Sequence, residues 1–373
     1  MPNNSKKSRS IGSIIKFVSF ATIVFVGANM LVYRAFISAF QLQDSSDAFL
    51  IGTLFVIFSG GFIATLIIEK YSAGIATRIL YTVTAVWTGT FVYLFFAAIL
   101  YDISKRLFYD PRVFGVFFFF IAFAAGIYGV VHAKKIFIKK VRVALPNLPE
   151  SWRGRTAVWM SDLHLGSIYR TRFAKKVTRI SNSLSPDIVF VGGDLFDGTH
   201  APDPYKLAKP LANLSSQFGT FYITGNHEEF GSPDSFLEVV QKIGMTILND
   251  EKIEIEGLQI VGVDYSRSSK KENFKNILES MHVDKTLPSI LLKHEPRDLE
   301  VAEEAGISLQ ISGHTHHGQQ WPFNYLADHV YKGFAYGLKK HGTMNVLVSS
   351  GVGGWGPPVR VGSDCEIVQI TFV

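Results

Sequence analysis

Four apolar stretches crowd into the first 150 residues of this chain and decide what its N-terminal part can become. They run over residues 14–33, 49–68, 75–100 and 113–131. Each reaches or nearly reaches the ~20 residues an α-helix needs to cross the hydrocarbon core of a bilayer. The first could pass for a signal peptide. It is too long for that, lacks a small-residue cleavage site and is followed by three more such stretches. The expected organisation is a membrane region over 1–140 with four transmembrane helices, a linker over 141–151 and a soluble domain over 152–373.

Charge follows the same division. Residues 1–150 hold 15 Lys and Arg against 6 Asp and Glu, while residues 151–373 hold 22 against 25. The net charge of +6 therefore belongs to the helices and their flanks. A nucleic-acid partner would need a basic patch on the soluble domain, so none is expected. Basic residues mark the cytoplasmic ends of membrane helices. Lys6, Lys7, Arg9 and Lys16 precede or enter the first stretch, Lys70 and Arg78 flank the second loop, and Lys134, Lys135, Lys139, Lys140 and Arg142 follow the fourth. This places the N-terminus and the large C-terminal domain in the cytoplasm, as an integral, multi-pass membrane protein. Lys105, Arg106 and Arg112 in the third loop dissent. The span centres hold almost no ionisable residues, with Arg34 and Glu69 at ends, which favours an anchor over a transport path. Gly115, Ala122, Ala125, Gly126 and Gly129 permit close helix approach. Lys134 to Arg142 alternate apolar and basic residues and could lie along anionic headgroups. Leu145 to Pro149 then break regular structure.

Beyond residue 155, short apolar runs alternate with segments of helical spacing, the pattern of an α/β layered domain. Five polar clusters each follow a predicted strand: Asp162 with His164; Gly193 with Asp194; Gly225, Asn226, His227 and Glu228; His294 with Glu295 and Pro296; and Gly313, His314 and His316. Open α/β sheets place their sites at such strand ends. Singly, each cluster is an ordinary loop feature. Five together in one domain supply carboxylate, amide and imidazole donors suited to Mn²⁺, Fe²⁺ or Zn²⁺. Cys365 is the single cysteine. It offers no internal disulfide and reads as an ordinary strand residue. His200, His282, His329 and His341 have no motif around them and read as surface histidines. The aromatic-rich segment 321–340 reads as a packed loop, with contact to the bilayer as the alternative.

In this order the five blocks resemble the calcineurin-like metallophosphoesterase superfamily over residues 155–373. The resemblance implies a four-layer αββα domain behind the helical transmembrane region. It implies a hydrolase that cleaves a phosphodiester or pyrophosphate bond through a hydroxide bridging two divalent ions. Carried over by position, Asp162, His164 and His316 hold one metal, Asp194 bridges, and Asn226, His294 and His314 hold the other. His227 binds no metal; it contacts the phosphate and protonates or stabilises the leaving oxygen. With Gln319, the run from Ser350 to Gly353 and that from Pro358 to Arg360, the pattern is similar to a bacterial membrane-associated phosphodiesterase branch. That branch includes UDP-2,3-diacylglucosamine pyrophosphohydrolases, which points to a bacterial cell membrane and a lipid-linked nucleotide. Arg360 is then a candidate substrate contact, with a structural ion pair as the alternative. His317, where a Gly is usual, could add a phosphate donor. Ser363 to Cys365 depart from the branch, which commonly has a Pro before the Glu. The alternatives are an anchored esterase of soluble small phosphoesters and a transporter or receptor with a non-catalytic metal module.

The charge pattern makes a testable statement about orientation. A periplasm-dependent reporter such as alkaline phosphatase should be active when fused within 41–48 and inactive when fused near 145. The opposite pattern would reverse the expected topology.

Overall fold

The computed structural model describes residues 11–69, 74–198 and 201–373. Lys6, Lys7, Arg9, Lys70 and His200 lie outside them. The chain forms two compact units, one up to Ala64 together with Trp87–Ile127, the other Thr65–Val86 together with Tyr128–Val373.

Long apolar runs become helices because the backbone must satisfy its own hydrogen bonds in lipid. They are α1 (Ile11–Ala39), α2 (Ser46–Glu69), α3 (Ile75–Leu107) and α4 (Arg112–His132). The last three are each long and apolar enough to cross a membrane. In α1 the apolar part among described residues is the shorter Ile23–Ala39. Small residues bring helices of the first unit together, as expected. A Cβ on Gly115 would lie 2.7 Å from that of Ala39 and 2.6 Å from Tyr101, and one on Gly126 would lie 2.6 Å from Thr90. Polar side chains find partners, with Trp87 Nε1 donating to Ser59 Oγ at 3.1 Å. Helix α3 continues past its expected end, so Lys105 and Arg106 sit on its last turn. Lys105 pairs with Asp102 at 2.8 Å, and Arg112 with Asp110 at 2.6 Å.

Among its described residues the second unit is built on twelve strands. They are β1 (Ile136–Val143), β2 (Thr156–Met160), β3 (Ile188–Val191), β4 (Thr220–Tyr222), β5 (Thr246–Ile247) and β6 (Glu251–Ile255), followed by β7 (Leu258–Gly262), β8 (Ser289–Leu292), β9 (Leu309–Ser312), β10 (Gly337–His341), β11 (Met344–Val348) and β12 (Cys365–Phe372). One sheet runs β1-β12-β2-β3-β4-β5, the other β10-β11-β9-β8-β7-β6. Strands β2 to β5 are mutually parallel, as are β7, β8, β9 and β11. The inner faces meet in one core, where Trp159, Phe190 and Ile370 are buried with Ile260, Leu292 and Ile311. The first sheet's outer face is covered by α5 (Thr171–Ser183) through Ala174 and Val177. The second sheet's is covered by helix Lys271–Ser280 through Phe274 and Leu278. This is the expected αββα layering, and it explains why β3 reads Ile-Val-Phe-Val without alternation: both faces are buried.

Two segments differ from expectation. Residues 136–143, read as lying along headgroups and entering a linker, form strand β1, parallel to β12 from Ile136 opposite Cys365 to Val143 opposite Phe372. Their β-branched and aromatic residues suit a strand, and Lys139, Lys140 and Arg142 give this outermost strand a charged edge that discourages further pairing. The aromatic-rich segment contains helix Phe323–Val330, in which no residue is buried; Tyr325 is 66% and Leu326 59% exposed. It is not the packed loop expected. Cys365 is buried on β12, and burial pushes its thiol above its usual pKa, in keeping with an inert strand residue. His282 and His329 are exposed, and His341 pairs with Glu303 at 3.1 Å.

Strand β1 bears on where the soluble domain can be cut. A protein beginning at residue 145 lacks it and exposes the β12 edge, whereas one beginning near residue 133 retains it. The shorter form should melt several degrees lower, at about 2–4 °C for each kcal/mol lost in a domain of this size, and aggregate more readily. Equal melting temperatures by calorimetry would show that β1 contributes nothing.

Candidate metal centre

All five polar clusters occupy carboxyl ends of parallel strands, three in the first sheet and two in the second. Asp162 and His164 follow β2, Asp194 follows β3, and Asn226 opens the short helix after β4. His294 follows β8, while His314 and His316 follow β9. Because the two sheets face each other, these ends converge. His294 Nε2 lies 3.2 Å from Asp194 Oδ2 and 3.2 Å from Asn226 Oδ1. His314 Nδ1 is 3.2 Å from His294 Nε2. On the other side His164 Nε2 is 3.2 Å from His316 Nε2, which is 3.5 Å from Asp162 Oδ1. Asp194 Oδ2 lies 3.9 Å from His164 Nε2 and so faces both groups.

Among the described residues, three sets of donors lie close enough to hold a metal ion: Asp162, His164 and His316; His164, Asp194 and His227; and Asp194, His294 and His314. Their electrostatics fit a cation. Burial holds His164 near 3 and His314 near 4, and holds His316 well below its usual range, so these imidazoles keep lone pairs free. Burial pushes Asp162 to about 6 against the pull of His294. Burial pushes Asp194 the same way, but His294, His164 and His227 outweigh it and leave it well below the usual carboxylate range. In turn Asp194 overcomes burial to raise His294 to about 10, a sign of how strongly this carboxylate draws positive charge. His294 Nδ1 also lies 2.7 Å from the Gly192 carbonyl, to which it donates. That orients the ring with Nε2 toward Asp194 and Asn226, the arrangement found in metal-ligating histidines.

Backbone shape makes this crowding feasible. Asp162, His164, Asp194, His314 and His316 all have φ between 47° and 68°. Non-glycine residues rarely adopt that left-handed region, and such strain gathers at functional sites. Gly225 is needed for a different reason: a Cβ there would lie 2.2 Å from Asp194 Oδ1.

Several contributing residues were not singled out from the sequence. Glu228 is fully buried, and its carboxylate accepts from the backbone N–H groups of Gly225 at 2.8 Å, Asp194 and Leu195 at 3.0 Å and Phe196 at 3.3 Å. It clamps the β3 loop to the β4 loop. Asp197 places Oδ1 3.5 Å from His227 Nδ1 and 3.7 Å from His164 Nδ1. Burial, with Asp194 and Glu69 nearby, lifts Asp197 to about 7. Glu69, the last residue of α2, is hydrogen-bonded by Ser167 Oγ. Glu295 lies 3.7 Å from His314 Nε2 and is held by Arg297 and Tyr331. Glu228 was visible as the last letter of its motif, and Asp197 as a carboxylate three residues past Asp194. Nothing in the sequence tied Glu69 to the site.

Two residues expected to contact substrate have partners within the protein. Arg360 is 0% exposed, and its guanidinium donates to the carbonyls of Ser350 at 2.8 Å, Asp364 at 2.9 Å and His316 at 3.3 Å. It braces the His316 loop against the β12 approach. His317 stacks on Tyr336, with ring centroids 4.6 Å apart, and its charged neighbours are Asp328 and Lys339 rather than the metal donors. His227 does sit at the centre, its ring 4.5 Å from that of His164 and its backbone N–H donating to Asp194 Oδ1 at 2.8 Å.

Known proteins share this arrangement of sequence. The family described as calcineurin-like phosphoesterase matches residues 156–318. A metallophosphoesterase of Helicobacter pylori is 33% identical over 240 residues, 63% of this chain and 64% of the relative, so the chain spans a little under two thirds of that protein. One from Aquifex aeolicus is 31% identical over 259 residues, 68% of this chain and 98% of the relative. A Bos taurus transmembrane protein with metallophosphoesterase domain is 33% identical over 259 residues, 62% of this chain and 56% of the relative. The chain belongs to the calcineurin-like metallophosphoesterases. That family is one of metal-dependent phosphoesterases, and the matching residues here follow apolar helices in the chain.

The Glu228 clamp can be tested apart from turnover. Glu228→Gln puts an amide N–H₂ among backbone donors that need an acceptor. Outer partners of metal ligands typically contribute 10–100-fold to metal affinity. Mn²⁺ affinity, read as the metal-dependent rise in melting temperature, should fall by about that factor. An unchanged affinity would remove Glu228 from the site.

Proposed function

We propose that this chain is a membrane-anchored, two-metal hydrolase of a phosphodiester or pyrophosphate bond. The observation that carries the proposal is the convergence of six donors from both sheets around a shared carboxylate, Asp194. Asp162, His164 and His316 would hold one ion, Asn226, His294 and His314 the other, with Asp194 common to both. Mn²⁺, Fe²⁺ and Zn²⁺ all suit these oxygen and nitrogen donors. Divalent ions held there would polarise phosphoryl oxygens and supply a hydroxide nucleophile at neutral pH.

The chain's own residues do the rest. His227 is the proton donor to the leaving oxygen. Asp197, at 3.5 Å from its Nδ1, orients the ring and stabilises its cationic form. Glu228 and Gly225 fix the loop from which Asn226 and His227 project. Arg360 is a positioning residue that holds the carbonyl of His316.

The helices supply an anchor. The Lys and Arg pattern supports a multi-pass protein with the domain in the cytoplasm of a bacterial cell. Three helices are long and apolar enough to cross a membrane, and a relative named as a transmembrane protein supports the same reading. Tethering raises the local concentration of any substrate held in the bilayer, which favours a lipid-linked nucleotide over a soluble ester. A non-catalytic metal module is disfavoured because it would have no use for His227 and Asp197.

Purified full-length protein loaded with Mn²⁺ should hydrolyse bis-p-nitrophenyl phosphate. His227→Ala should lose about 10²–10⁴ in kcat while keeping its metal content. Asp194→Asn should lose metal as well, measured by elemental analysis. Turnover surviving both substitutions would defeat the site assignment. Activity on p-nitrophenyl esters without activity on UDP-diacylglucosamine would leave a hydrolase of soluble phosphoesters.

A further inference from the structure

A cavity of about 780 Å³ lies apart from the metal donors, within the second unit. One side is the loop at Ser167 and Ile168 with the first turn of α5. The other is Thr82 and Val86 of α3 with Val130 of α4. Five basic residues line it: Arg78, Lys134, Arg170, Arg172 and Lys176. No Asp or Glu is among its described lining, and the Lys and Arg ion pairs among the described residues all lie elsewhere. Lys176 is held in place by donating to the Lys134 carbonyl at 2.7 Å. The α5 helix runs for 13 residues and has no side-chain cap at Arg170, so its positive end adds to the field. Five cations and a helix N-terminus outweigh Glu69, the carboxylate that Ser167 on the wall bonds, and call for an anion.

The remaining wall is apolar, with Val86, Val130, Phe173 and Pro358. Arg78, Thr82 and Val86 fall four residues apart and so share one face of α3. Both α3 and α4 are long and apolar enough to cross a membrane. A small soluble anion has no use for such a wall; a molecule with a phosphate and acyl chains has. We propose that the cavity binds the headgroup phosphate of an anionic phospholipid, with its acyl chains along α3 and α4. The lipid would sit against the loop that follows the Asp162 and His164 donors. The inference rests on the reading that these helices cross a bilayer.

Full-length protein is reconstituted into nanodiscs of phosphatidylcholine alone or mixed with phosphatidylglycerol, and retained lipid is measured by native mass spectrometry. Phosphatidylglycerol should be retained in preference to phosphatidylcholine. The double variant Arg170→Gln/Arg172→Gln should lose that preference by roughly thirty-fold, whereas Lys275→Gln/Lys285→Gln should keep it. Arg78→Gln gives a second reading should the double variant not fold. Equal retention of both lipids, no effect of either arginine variant, or displacement of phosphatidylglycerol by millimolar inorganic phosphate would overturn the proposal. Failure to enter any nanodisc would overturn the bilayer reading and the lipid site with it.

Discussion

Two carboxylates buried away from water, Asp162 and Asp194, govern the catalytic half of this protein. A buried ionised carboxylate is costly unless charge and hydrogen bonds surround it. The fold supplies both. Backbone N–H groups of His314 and His227 donate to Asp162 and Asp194, and imidazoles from both sheets crowd around them. That is why the strand ends of two separate sheets must meet at one place. The core between the sheets, with Trp159, Phe190 and Leu292 wholly buried, holds them in that register.

Much of this was legible in the chain, for a physical reason. Metal chemistry restricts donors to a few residue types, and parallel strands put them at regular intervals after apolar runs. The five blocks therefore announced both the sheet and the site. Burial is what a sequence withholds. Arg360 has the chemistry of a phosphate contact, and only its complete enclosure among carbonyls reveals a bracing role. Strand β1 mixes apolar and basic residues without a clear period, and a peptide lying on headgroups would have the same composition; only its ladder with β12 distinguishes the two. Glu228 lay inside a recognised motif and Asp197 three residues beyond one, yet their functions depend on distances to His227 and to the β3 loop that spacing does not encode.

The division of the chain also separates differently from the composition. The end of α2 from Thr65 and the start of α3 up to Val86 belong with the catalytic unit. Glu69 is bonded by Ser167, and its charge helps to raise Asp197, the partner of the proposed proton donor. Hydropathy sorts residues by the solvent they prefer. It does not sort them by the unit they stabilise, and here a carboxylate at the end of an apolar helix influences a soluble centre.

The left-handed backbone at five donor positions sets limits on how such a centre can change over time. Asn and Gly enter that conformation readily, Asp and His less so, and β-branched residues hardly at all. A descendant chain that abandoned metal while keeping the fold would drift toward Asn and Gly at these places, not toward Val or Ile. The loops would then still trace the outline of the lost ions, so a silent member of the lineage could be told from an unrelated α/β protein by backbone shape after every ligand had gone.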